Sequence, residues 1–162
     1  MYLPSGGGEE AKDLGGVMSK LLQQNEIPGP EEYCELRRVC GLSPKEILAA
    51  QMGLPNSLFA ATIRDERGFL VAMGRVVGDG GLNFEVVDIA VHPDFQRQGL
   101  GGKIMAAVMK YIYENAPVSA YISLIADDHA PALYRKFGFR PTAPRSIGMA
   151  QRILKKEDKD SS

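Results

Sequence analysis

The segment Gln96-Arg97-Gln98-Gly99-Leu100-Gly101-Gly102-Lys103 lies between an apolar, β-favouring run and a stretch with one apolar helical face. Glycines at such a junction leave successive backbone N–H groups uncovered at the positive end of a helix, which is what gripping a phosphate or pyrophosphate requires. The rival reading is a tight strand-to-helix turn with no ligand. Two familiar phosphate loops fail on the residues. A Walker loop needs glycine where Arg97 stands and Ser or Thr where Ile104 stands, and G-x-G-x-x-G needs glycine at Ile104. Neither ATP nor NAD is supported, which leaves phosphoryl transfer a distant alternative. Covalent catalysis has no support either: the only histidines, His92 and His129, sit in loops flanking the segment, and no G-x-S-x-G elbow occurs. Cys34 and Cys40 are in neither metal-ligand nor redox spacing and read as packing residues of an early helix, so no metal site is expected.

These residues must be positioned by a chain of 162 residues with 44% hydrophobic content, enough for one domain with a real core. Nineteen basic and twenty acidic side chains leave a net charge of -1, so no global basic field draws nucleic acid to the molecule. Sparse cysteine fits a reducing, cytoplasmic setting. Apolar stretches break well short of 18 residues and no signal peptide is indicated, so no membrane association is expected. Residues 1–17, rich in glycine and polar side chains, read as a flexible leader, 18–154 as a single domain and 155–162 as a flexible charged tail.

Within that domain, Pro28-Gly29-Pro30 opens a helix running to about Val39, and Ser43-Pro44-Lys45-Glu46 looks like the capped start of a second. Two β-favouring runs, 58–63 and 69–77, are joined by a hairpin signal at 64–68, and Asp79-Gly80-Gly81 turns the chain into a third run, 84–91. Leu100, Ile104, Val108, Tyr111 and Ile112 then share one helical face, a strand follows over 119–126, and a shorter helix spans 128–136 with Ala130, Leu133, Tyr134 and Phe137 on one side. A last β segment at 149–154 closes the sheet. The order predicts an α/β (α+β) fold: a mixed, mostly antiparallel sheet of about six to seven strands with helices on both faces.

The stretch from Asp88 through Lys103 resembles the acyl-CoA-binding segment of the GCN5-related N-acetyltransferase (GNAT) superfamily, whose signature is Q/R-x-x-G-x-G/A. Gln96, Gly99 and Gly101 stand at its fixed positions. Further on, Ala130-Pro131-Ala132-Leu133-Tyr134-Arg135-Lys136-Phe137-Gly138-Phe139 is similar to the family's second signature, A-x-x-L-Y-x-K-x-G-F, at every fixed position. The resemblance is specific from 84 to 139 and generic over 30–81. It implies a GNAT-like acyl-CoA N-acyltransferase fold and an enzyme that moves an acetyl group from acetyl-CoA to an amine by direct attack in a ternary complex. It also implies that the pantetheine arm bonds to backbone around Ile89, Ala90 and Val91, that the pyrophosphate sits on the N–H groups of Arg97, Gln98, Gly99, Leu100, Gly101, Gly102 and Lys103, and that Gln96 belongs to the cofactor-binding residues. One departure is Asp127, where many members carry Asn to contact the cofactor.

Tyr134 is the family position for a donor to the departing thiolate, and its residue-level rival is a buried aromatic on an apolar helix face. For the base, Asp88 and Glu85 share the central strand but fall on opposite faces by strict alternation, unless a bulge intervenes. Asp88, in line with Phe84, Val86 and Ala90, is the first choice as a carboxylate in apolar company; an ion pair with Arg75 is its alternative reading. Glu85 comes second, and a water relay without a single base is a third reading. A small primary amine is the preferred acceptor because no extended charged groove is evident. A homodimer is left open, as is a non-catalytic acyl-CoA-binding or regulatory module on the same fold.

Overall fold

The computed structural model describes residues 20–127 and 130–153. The chain runs β1 (Leu22–Gln24), α1 (Pro30–Val39), α2 (Ile47–Gly53), β2 (Phe59–Arg64), β3 (Leu70–Gly78), β4 (Asn83–Val91), α3 (Leu100–Asn115), β5 (Tyr121–Leu124) and α4 (Pro131–Arg135), with short 3-10 turns at Leu54–Asn56 and Pro93–Phe95. The strands form one sheet in the order β1-β2-β3-β4-β5, antiparallel except for the parallel pair β4/β5 that α3 connects. On one face Ile104, Met105, Val108 and Ile112 of α3 pack on Ile63, Val76, Phe84 and Val86. On the other, Tyr33, Leu36, Ala50 and Leu54 from α1, α2 and the following turn cover Leu70, Met73 and Ala90. Helices thus lie on both faces of an α/β fold.

Among the described residues the sheet has five strands rather than the expected six to seven. Residues 149–153 form no strand; Met149 is 88% and Ile153 97% exposed, and Leu154 lies outside the described residues. Alternation there puts polar Gln151 on the same side as Met149 and Ile153, so the segment offers no apolar face to dock. β1, conversely, carries no sequence signal: Leu22, Gln23 and Gln24 are all exposed and are strand only because they pair with Arg64, Ile63 and Thr62. The leader 1–17 and the tail 155–162 also fall outside the described residues.

α1 starts as its sequence requires, with Pro30 in its first turn and the Glu32 carboxylate accepting from the Gly29 N–H at 2.8 Å. Arg64 then clamps β2 to this helix start through Glu32 (2.7 Å) and Glu26 (2.6 Å). The pairing holds the Glu32 carboxyl below its ordinary range. α2 begins at Ile47, not at Ser43, because the Ser43 carbonyl and hydroxyl are taken by the Arg37 guanidinium and residues 43–46 stay non-helical. β5 ends at Leu124, short of the expected 126. α4 is confined to Pro131–Arg135, and Asp128 and His129 lie outside the described residues.

The β3–β4 turn is held by one side chain. Asp79 Oδ1 accepts from the N–H groups of Gly81 (2.9 Å), Leu82 (2.7 Å) and Asn83 (3.1 Å), which lowers its pKa to about 2. A carboxyl whose folded pKa is depressed contributes stability above its unfolded pKa and loses it as pH falls through the folded value. Thermal melts should therefore show wild type more stable than Asp79→Asn at neutral pH, with the gap closing between about pH 4 and about pH 2. A gap that persists unchanged at pH 2 would show that the ionised carboxylate is not what holds the turn.

Candidate active site

The centre of the site is a bulge in β4. Register runs Ala72↔Val91 and Met73↔Ala90, then jumps to Arg75↔Val87, so Asp88 and Ile89 together face Gly74. Asp88 sits at φ 57, a left-handed conformation that Asp tolerates better than most residues. The extra residue resets the alternation. Phe84, Val86 and Ile89 pack toward α3, whereas Asp88 turns to α1 and Ala90 joins the core beneath it. Glu85 is two residues along from Val87, which pairs with Arg75, so it lies on the α1 face too; strict alternation would have separated it from Asp88. Glycine at 74 is needed opposite the bulge: a Cβ there would come within 2.5 Å of both Ile89 and Ile104 side chains.

The apolar company expected for Asp88 is not there. Its Oδ2 accepts from Arg75 Nε at 2.7 Å and from the Tyr33 hydroxyl at 3.0 Å, and its Oδ1 from Arg37 Nη1. The Asp88 and Arg37 side chains are only 8% and 7% exposed and that of Arg75 12%, so the carboxylate is a buried junction between α1, β3 and β4. Both guanidiniums also lie over the Tyr33 ring, at 5.7 and 5.5 Å. Burial and the adjoining Asp88 charge raise the Tyr33 pKa, which keeps this phenol a donor. Sequence reading missed the α1 half of the network. The signal was a tyrosine and an arginine four apart, Tyr33 and Arg37, in line with buried Leu36. Glu85 is half-buried, and its side chain has no hydrogen bond or ion pair among the described residues.

Beyond Val86↔Leu124 the two parallel strands have no further pairing, so from Val87 to Val91 the β4 edge on that side has no strand partner. Past β4, His92 caps the Pro93–Phe95 turn by accepting from the Asp94 N–H (3.2 Å) and packs edge-on to Phe69 and Phe95. Gln96 donates its side-chain amide to the Val91 carbonyl at 3.2 Å, shaping the loop. Arg97 and Gly99 both take positive φ, at 61 and 75, and Gly99 becomes the N-cap of α3. Its carbonyl accepts from Lys103, while the N–H groups of 97–102 have no acceptor among the described residues. Arg97 and Lys103 are exposed, Leu100 is anchored in the core, and Gly101 lies under α4, where a Cβ would stand 3.4 Å from Leu133 Cδ2.

That contact ties the loop to Tyr134. The Tyr134 ring is largely buried and edge-on to Phe139 at 6.4 Å. Burial first, and the negative field of Asp127 second, raise its pKa, so the phenol stays protonated at neutral pH. Its hydroxyl has no partner among the described residues and keeps contact with solvent. Asp127 is exposed. On the other side of the sheet, a cavity of about 210 Å³ opens between α1, α2 and β3, lined by Tyr33, Lys45, Ala50, Leu54 and Arg75 among others. A shallower space of about 540 Å³ beside α3 is bordered by Gln23, Phe59, Lys103 and Tyr111 and touches the loop only at Lys103. No described helix is long and apolar enough to cross a membrane.

The site thus combines an α/β sheet with a bulged β4, a parting β4/β5 pair and a glycine-capped α3. Residues 57–141 match the acetyltransferase (GNAT) domain, and the chain belongs to the GNAT family of acetyltransferases. A probable acetyltransferase of unknown function from meticillin-resistant Staphylococcus aureus is 48% identical, with a TM-score of 0.80 over 83% of this chain and 100% of that one. A GNAT-family acetyltransferase from Streptococcus pneumoniae is 25% identical, with a TM-score of 0.65 over 86% of this chain and 100% of that one. An uncharacterized N-acetyltransferase from Gracilaria tenuistipitata var. liui is 30% identical over 112 residues, 65% of this chain. The chain spans only 60 to 63% of the length of that relative and its counterparts from Porphyra purpurea and Pyropia yezoensis.

Proposed function

We propose that this chain transfers the acetyl group of acetyl-CoA to a small primary amine by direct attack in a ternary complex. The row of unbonded N–H groups at 97–102, at the positive end of the 16-residue α3 and flanked by exposed Arg97 and Lys103, carries the reading. Those amides bind the pyrophosphate. The β4 edge through Ile89, Ala90 and Val91 offers backbone groups to the pantetheine amides where β5 has left it. Tyr134 donates its hydroxyl to the sulfur as the C–S bond breaks and the N–C bond forms. Glu85 takes the ammonium proton, directly or through water, because Asp88 has its oxygens committed to three donors. Gln96 supports the loop through Val91, and Asp127 acts on Tyr134 by keeping its proton in place.

Acetyl-CoA should bind the folded protein and raise its melting temperature, with about 2.7 kcal/mol of stabilisation at a hundredfold excess over Kd. Gly99→Val, which forces a β-branched residue into φ +75, should weaken binding at least about tenfold in calorimetry while the core stays folded. Absence of any CoA binding by the wild type would end the proposal. Tight CoA binding without transfer to any amine would point instead to a non-catalytic module.

A further inference from the structure

We infer that the acceptor amine also carries an anionic oxygen group, a carboxylate or phosphate, seated in the cavity beneath α1 and α2 by Arg75 and Lys45. This rests on the acetyl-transfer reading and specifies its second substrate.

The charge count around the cavity points there. Asp88 supplies one negative charge to two guanidiniums, Arg37 and Arg75, so the junction keeps a surplus positive charge in a buried setting where screening is weak. Lys45 adds a second cation, exposed and without an ion pair among the described residues. Among the described residues no carboxylate lines the cavity, and the Tyr33 hydroxyl is spent on Asp88.

Donor geometry agrees. A guanidinium has five N–H donors. Arg37 makes four hydrogen bonds, through all three of its nitrogens, to Asp88 and to the carbonyl and hydroxyl of Ser43. Arg75 places Nε on Asp88 and Nη1 on Ser57 Oγ at 2.7 Å, but Nη2 has no acceptor among the described residues. No buried polar side-chain atom in those residues is left unbonded, so Nη2 keeps access to solvent, and Arg75 is among the residues that line the cavity. An oxyanion is the acceptor that such a solvent-accessible N–H pair, on a guanidinium held at Nε and Nη1, fits. Ala50 and Leu54 supply an apolar wall, and at about 210 Å³ the space suits a small molecule. Glu85, on the same sheet face and unpaired, provides the opposite charge for the amine. A polycation would meet two unneutralised positive charges instead.

The test pairs acceptors with and without the anion, compared at equal free-amine concentration: glycine and β-alanine against their amides, ethanolamine phosphate against ethanolamine, glucosamine 6-phosphate against glucosamine, with spermidine as the polycation. Thiol release should favour the anionic member of the pairs that react by at least about tenfold in kcat/KM, chiefly through KM. The carboxylate and phosphate arms identify which anion fits. Lys45→Gln, at an exposed position, should shrink that ratio several-fold. An equal or reversed preference, spermidine as the best acceptor, or a ratio unaffected by Lys45→Gln would each overturn the inference while leaving acetyl transfer intact. If no amine reacts, acetyl transfer itself fails. The cavity is then judged by calorimetry with CoA present, comparing N-acetylglycine and glycine phosphonate with N-acetylglycinamide. Preferential anion binding supports the anion seat alone, without its role for an acceptor, and equal or absent binding overturns the inference.

Discussion

Tyr134→Phe should slow the chemical step by roughly ten- to a thousandfold, the range for losing one hydrogen bond to an atom that gains charge in the transition state. Stability and CoA affinity should barely move. The ring keeps its place against Phe139 and the α3-side core, and the hydroxyl has no bond to lose among the described residues. The raised pKa makes the direction of the effect specific: the phenol is a proton donor at working pH, not a phenolate. Product release can hide part of such a loss, so a single-turnover rate with a reactive amine is the measurement. Wild-type speed in that variant would remove Tyr134 from the chemistry and leave it as packing for α4.

Local spacing made much of this molecule legible. The α3 face of Leu100, Ile104, Val108 and Ile112, the hairpin turns and the proline-started α1 are all present because short-range preference and burial agree there. The glycine loop was legible for the same reason: the left-handed backbone at Gly99 favours glycine at that position. What could not be read were features set by partners distant in the chain. β1 is strand by pairing alone. The 149–153 run pairs with no strand among the described residues. Ser43 gave its polar groups to Arg37 rather than to the start of α2. The bulge was the most consequential of these, since one extra residue in β4 moved Asp88 from apolar neighbours to two arginines and brought it onto the face of Glu85.

That displacement fixes what Asp88→Ala should do. Removing the carboxylate leaves Arg37 and Arg75 buried without their shared anion, and breaking a buried pair from one side costs about 3–5 kcal/mol. Alanine at φ 57 adds roughly 1–2 kcal/mol of backbone strain. Against a typical total of about 5–15 kcal/mol, urea unfolding should find the variant severely destabilised or unfolded. Asp88→Asn, which accepts the left-handed conformation and keeps one acceptor oxygen, should fold and fall between the two. It also separates positioning from proton transfer. With Asp88 committed to three donors, Asp88→Asn should lower activity evenly across pH. Glu85→Gln should lower it most at low pH, where the acceptor amine is most protonated and most needs a base. Wild-type stability in Asp88→Ala would show that the junction does not hold α1 to the bulge. A low-pH loss confined to Asp88→Asn would return the base to Asp88.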